Sequence, residues 1–109
     1  MQFIDSHSHL NSEAFDEDRD EVIARMKAAG MAAALVVACE DDELPKLEAL
    51  LASHPGWLFG AWALHPEFED RPEPSVEKIA SVCSRPGFVA VGETGLDFYW
   101  CKEPLDWQR

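Results

Sequence analysis

Ala32-Ala33-Ala34-Leu35-Val36-Val37-Ala38 decides the fold. The run is apolar at every position, so it calls for cover on both of its faces. Half-solvated strands of antiparallel sheets alternate apolar with polar residues, whereas strands of parallel sheets read as continuous apolar runs. The run is therefore a buried parallel strand. A parallel neighbour requires a crossover of a dozen or more residues, usually a helix, and the chain provides one on each side.

Upstream, Asp16-Glu17-Asp18 sets carboxylates at the positive end of a helix dipole. Val22, Ile23, Met26 and Ala29 follow at helical spacing, and Gly30 is a natural stop. Asn11 to Phe15 reads as a loop, and Phe3-Ile4 opens a first strand leading into Asp5-Ser6-His7-Ser8-His9-Leu10. Downstream, Glu40-Asp41-Asp42 ends the buried strand and opens a second helix, with Pro45 in its first turn. Leu44, Leu47, Leu50 and Leu51 form its inner stripe, and His54-Pro55-Gly56 closes it. Trp57 to Leu64 is a third strand ending at His65-Pro66. After an acidic, proline-rich loop from Glu67 to Pro74, Ser75 caps a third helix with Val76, Ile79, Ala80 and Cys83 inward. Pro86-Gly87 turns into a fourth strand, Phe88 to Val91, which runs into Gly92-Glu93-Thr94-Gly95-Leu96-Asp97. Pro104 is placed to start another helix shortly before Arg109.

Strand and helix alternate at roughly the 30-residue interval of a βαβ unit, which means an α/β fold with a parallel sheet. A doubly wound open sheet and a (β/α)8 TIM barrel both satisfy this. The polar residues favour the barrel. His7 and His9, the Glu40 cluster, His65 and Glu93 fall at the C-terminal ends of successive strands, the face that carries barrel active sites. An open sheet would gather its site at one switch point, with a glycine-rich phosphate loop after the first strand, and the sequence has none there. A complete barrel takes about 250 residues, so these 109 residues supply about the first four βα units. Residues 1–109 are expected to be the N-terminal half of a single barrel domain, leaving two strand edges and an apolar interior open.

Composition narrows the function. With 47% hydrophobic residues the chain supports a core, and it has no apolar run long enough for a membrane span. An aspartate within the first five residues does not fit a secretory leader, so the expected setting is the cytoplasm. The formal net charge of −12 opposes a broad nucleic-acid footprint. A phosphate ester would have to be met by bound metal and a few local groups. The three cysteines form no Cys-x-x-Cys pair, which argues against a zinc ribbon or a thioredoxin-like site. Cys39 and Cys83 are expected to pack as small hydrophobes, and Cys101 to be more exposed.

Metal ligation has a specific candidate. Residues two apart on a strand share a face, so His7 and His9 project together, about 6–7 Å apart at Cα, and can converge on one divalent ion. Exposed loop histidines are the plain alternative. Asp5 either accepts the outer N–H of a ligand histidine or caps a turn. Glu93, at the end of the fourth strand, can complete a ligand set, or serve as a carboxylate held by helix N–H groups. His65 is a loop residue held by Pro66 or, less simply, a further metal ligand. His54 falls on the opposite face and is structural, and Asp97 orients a neighbour at most.

Three motifs together resemble the TatD family of metal-dependent hydrolases, which includes deoxyribonucleases. They are Asp5-Ser6-His7-Ser8-His9-Leu10, Ala63-Leu64-His65-Pro66 and Val91-Gly92-Glu93-Thr94-Gly95-Leu96-Asp97-Phe98-Tyr99. The family usually has glycine where this chain has Ala63. The resemblance also takes in Phe15-Asp16 to Gly30 and Trp107-Gln108-Arg109, and so spans essentially the whole chain. It implies a (β/α)8 barrel that hydrolyses phosphodiester bonds, often as an exonuclease, with magnesium, manganese or zinc. By that resemblance His7 and His9 bind one metal, Glu93 ligates it and bridges to a second, and His65 sits by the substrate. The family draws two further histidines and an aspartate from the second half of the barrel. The isolated 109 residues are accordingly expected to bind metal weakly and hydrolyse little or nothing. Two other readings share the same residues. One is a metal-dependent deacylase or amidohydrolase. The other is a non-catalytic half barrel that pairs with a second copy or with a separate C-terminal half.

Overall fold

In the computed structural model, which describes residues 1–102 and 105–109, the apolar run is an inner strand of a four-stranded sheet. The strands are β1 (Phe3–Ser8), β2 (Met31–Ala38), β3 (Leu58–Trp62) and β4 (Phe88–Val91). The helices between them are α1 (Arg19–Ala28), α2 (Leu44–Ser53) and α3 (Val76–Cys83). Short 3-10 turns cover Glu13–Phe15, within the expected loop, and Asp41–Glu43 and Asp106–Gln108. The expected helix start at Pro104 lies outside the described residues.

Every strand pair is parallel and the spatial order is β1-β2-β3-β4. A doubly wound sheet reverses its order at a switch point. Sequential right-handed crossovers instead bring all the helices to one face. One core cluster shows this directly: Ile23 of α1, Leu47 and Leu51 of α2 and Val82 of α3 pack with Ala34, Val36, Ala38, Leu58, Trp62 and Phe88. The fold is the first part of a (β/α)8 barrel, with about four of its βα units present. No helix among the described residues is long and apolar enough to cross a membrane.

Local chemistry explains the boundaries. Gly30 ends α1 at φ 97°, and a Cβ there would lie 2.6 Å from the Met1 carbonyl oxygen, so glycine is required. The Ser75 hydroxyl accepts the Lys78 N–H at 3.1 Å and starts α3 as expected. The Asp18 side chain makes no cap hydrogen bond at the start of α1. Arg19 ties that end down instead, donating to the Leu10 carbonyl at 2.6 Å and the Ser12 carbonyl at 2.7 Å. These bonds pin the loop that follows His9.

Cover on both faces of β2 is only partly realised. Ala34, Val36 and Ala38 are buried toward the helices, and Val37 is buried on the other side, but Leu35 is half-buried and Ala32 exposed. Toward the edges of the sheet, Ile4, Val89 and Val91 are exposed. Four parallel strands do not curl far enough to close, so the face away from the helices is covered only near its middle.

Candidate metal centre

β1 does not run evenly beside β2. Asp5 pairs with Ala34 and Ser8 with Val36, so three steps of β1 match two of β2. Ser8 takes a core-side position and bonds the Leu35 carbonyl at 3.0 Å. His7 and His9, flanking it, point to the opposite side. Asp5 is not among the clustered donors. Its carboxylate accepts the His7 backbone N–H at 3.0 Å, so it caps the turn.

The third member follows β4, 84 positions beyond His9. Glu93 Oε1 lies 3.6 Å from His7 Nε2, and Oε2 lies 3.6 Å from His9 Nε2. The two Nε2 atoms are 3.3 Å apart. His7, His9 and Glu93 are the one group of potential metal donors found among the described residues, with ligand atoms all within 4.8 Å of one another. The spacing has a physical meaning. Two nitrogens each 2.0–2.1 Å from a tetrahedral ion are about 3.3–3.4 Å apart, so the rings already stand at the separation of two ligands on one ion. The donor set, two imidazoles and a carboxylate, suits zinc and the harder divalent ions.

The structure adds a residue that sequence reasoning set aside. Cys39, at the end of β2, does not simply pack as a small hydrophobe: its thiol donates to Glu93 Oε2 at 3.3 Å. Burial, then the hydrogen bond to Glu93 and the neighbouring carboxylate of Glu43, push the thiol well above its ordinary range. The Glu43 carboxylate also accepts the Cys39 backbone N–H. No local pattern signals this, because the partners are 54 residues apart.

His65 stands apart from the trio and forms no part of the donor group. Its backbone N–H donates to the Cys39 carbonyl at 2.9 Å, joining the ends of β2 and β3. Its Nδ1 accepts the Glu67 N–H at 3.1 Å, so a neutral ring carries its proton on Nε2. The ring lines a cleft of about 250 Å³ together with Phe68, Arg71, Thr94 and Trp107. Glu40, expected on this rim, pairs with Arg71 at 3.1 Å and ties two loops together. Asp97 holds its own loop. Its carboxylate accepts the backbone N–H groups of Tyr99, Trp100 and Cys101 at 2.8–3.3 Å. Partial burial raises its pKa, but these hydrogen bonds outweigh it and leave the carboxyl below its ordinary range. His54 caps α2 at the other end of the sheet and packs edge-on to Trp57.

The chain is similar to known proteins over most of its length. Residues 4–109 match the family model described as TatD related DNase. The chain is 32% identical over 106 residues to the uncharacterized metal-dependent hydrolase YabD of Bacillus subtilis, covering 96% of this chain and 41% of that protein. It is 34% identical over 91 residues to the 3'-5' ssDNA/RNA exonuclease TatD of Yersinia pseudotuberculosis, covering 83% and 35%. Against the protein of the same description from Klebsiella pneumoniae the identity is 35% over 91 residues, covering 83% and 34%. The chain thus spans about two fifths or less of the length of these relatives. With a family match over nearly its whole length and a sequential parallel sheet beneath the site, this chain belongs to the TatD-related DNase family of metal-dependent hydrolases.

Proposed function

We propose that residues 1–109 are the N-terminal half of a single barrel domain that hydrolyses phosphodiester bonds of DNA, working from strand ends as an exonuclease. One observation carries the proposal: the convergence of His7, His9 and Glu93 at the spacing of ligands around one ion. The naming of relatives as ssDNA/RNA exonucleases supports nucleic acid as the substrate class.

His7 and His9 would hold a divalent ion through Nε2, and Glu93 through a carboxylate oxygen. Magnesium, manganese or zinc would serve. Each Glu93 oxygen carries its own lone pairs, so the carboxylate could also reach a second ion in a complete site. Bound metal supplies positive charge for the phosphate and an acidified water. The chain's own residues do the rest. Asp5 holds the backbone at His7, and Arg19 fixes the loop that follows His9. His65, whose Nδ1 accepts the Glu67 N–H, would donate a hydrogen bond from Nε2 to a phosphate oxygen at the edge of the cleft. The remaining ligands would come from strands beyond this chain, either from the same polypeptide or from a second copy or partner half. A surface of net charge −12 then makes sense, because attraction to phosphate stays confined to the site.

The test uses the protein at its full natural length with a labelled single-stranded oligonucleotide, an acyl ester and an amide. Expected is divalent-dependent release of nucleotides from one end, reduced at least about 100-fold by Glu93→Gln, as loss of a site worth several kcal/mol requires. The 109-residue chain alone should turn over little or nothing. Cleavage of only the acyl substrates, or an undiminished rate in Glu93→Gln, would refute the proposal.

A further inference from the structure

We propose that Cys39 is a positioning residue of the metal site, its thiol fixing the orientation of the Glu93 carboxylate through the 3.3 Å hydrogen bond to Oε2. The inference rests on the reading of His7, His9 and Glu93 as metal ligands and adds a residue to it. Glu93 reaches the site through three side-chain torsions, the last of which is broad and poorly held by sterics alone. Its Oε1 faces only His7, at 3.6 Å, whereas Oε2 faces His9 at 3.6 Å and Cys39 Sγ at 3.3 Å. In the metal-binding tautomers both Nε2 atoms present lone pairs, which accept and cannot donate to the carboxylate. Among the described contacts, the Cys39 thiol is the donor that does so. It defines which oxygen faces which ring.

Cys39 is itself held on both sides. The Glu43 carboxylate accepts its N–H, and its carbonyl accepts the His65 N–H at 2.9 Å. The thiol is thus part of a rigid strand end, and it links Glu93 of β4 to β2 across the sheet. Groups that orient metal ligands in this way usually carry 10–100-fold in metal affinity. A thiol suits the place because it keeps a proton donor in a half-buried setting without demanding the water a hydroxyl would attract.

Cobalt(II) titration of the natural-length protein tests the proposal. Cys39→Val should weaken cobalt binding about 10-fold or more, and Cys39→Ser, which retains a donor, should stay within about 3-fold of wild type. The cobalt-loaded wild type should show no sulfur-to-cobalt charge-transfer band in the near ultraviolet. Should Cys39→Val misfold, the wild-type protein still answers through its S–H infrared band, assigned by difference against Cys39→Ser. That band should persist on metal loading and shift to higher frequency in Glu93→Gln. Wild-type affinity in Cys39→Val, a charge-transfer band showing thiolate ligation, or an S–H band indifferent to Glu93→Gln would each overturn the role. Failure of the underlying site is separately visible: cobalt affinity unchanged in His7→Ala and Glu93→Gln would remove the metal centre itself.

Discussion

The two faces of the sheet are built from similar residues and meet different surroundings. On the helix side Val36, Leu58 and Trp62 are at most 1% exposed. On the other side Val89 is 61% exposed and Val91 53%, although both belong to a strand as apolar as β2. A strand carries its demand for cover in its sequence, but cover comes from neighbours, and four strands provide helices on one side only. The metal-binding candidates stand where the two situations meet. His7 lies in the edge strand β1 and Glu93 just past the edge strand β4, while Cys39, which contacts Glu93, follows the inner strand β2.

This contrast is breakable by substitution. The largest effect should come from Leu47→Ala in the helix-side core. Leu47 is 0% exposed, and such truncations cost about 2–5 kcal/mol. Urea unfolding measures it, and a loss below about 1 kcal/mol would mean that the helices do not form the main core. Ser75→Ala should cost about 1 kcal/mol by removing the hydroxyl that accepts the Lys78 N–H at the start of α3. Val91→Ser, on the uncovered face, should change the stability of the 109-residue chain by no more than about 0.5 kcal/mol. In the natural-length protein the same change should cost clearly more if further strands cover that face, and equal costs in the two would break the comparison.

The smallest effect concerns the Asp97 loop. The folded-state pKa of Asp97 is lowered, so its contribution is present above the unfolded pKa and disappears as pH falls through the folded one. Protection of the Tyr99, Trp100 and Cys101 amides, taken relative to intrinsic exchange at each pH, should therefore persist through the ordinary carboxylate range and be lost only below it. Asp97→Ala should expose the same three amides at neutral pH. Unchanged exchange in that variant would show that other contacts hold the loop.

Much of this was legible in the residues. Period and punctuation located β2, β4 and the three helices to within a few residues, because apolar spacing and Gly, Pro and Ser act locally. His7, His9 and Glu93 were legible as candidates because each follows a strand at the same end. The details that escaped are non-local. The extra step in β1 arises from pairing with β2, and of the two readings of Asp5 the structure shows the turn cap. Cys39, apolar in its sequence context, gained a role only through Glu93, 54 residues away.

The sequence by itself determined the alternation of strands and helices, the apolar demand of each strand and the residue types at the strand ends. Those follow from backbone sterics, side-chain periodicity and capping, all of which act within a few residues. Tertiary structure alone decided that the strands lie in sequential order, that three donors stand at metal-ligand spacing, and that a thiol orients one of them. Such features depend on register and distance between segments far apart in the chain, and only packing sets those.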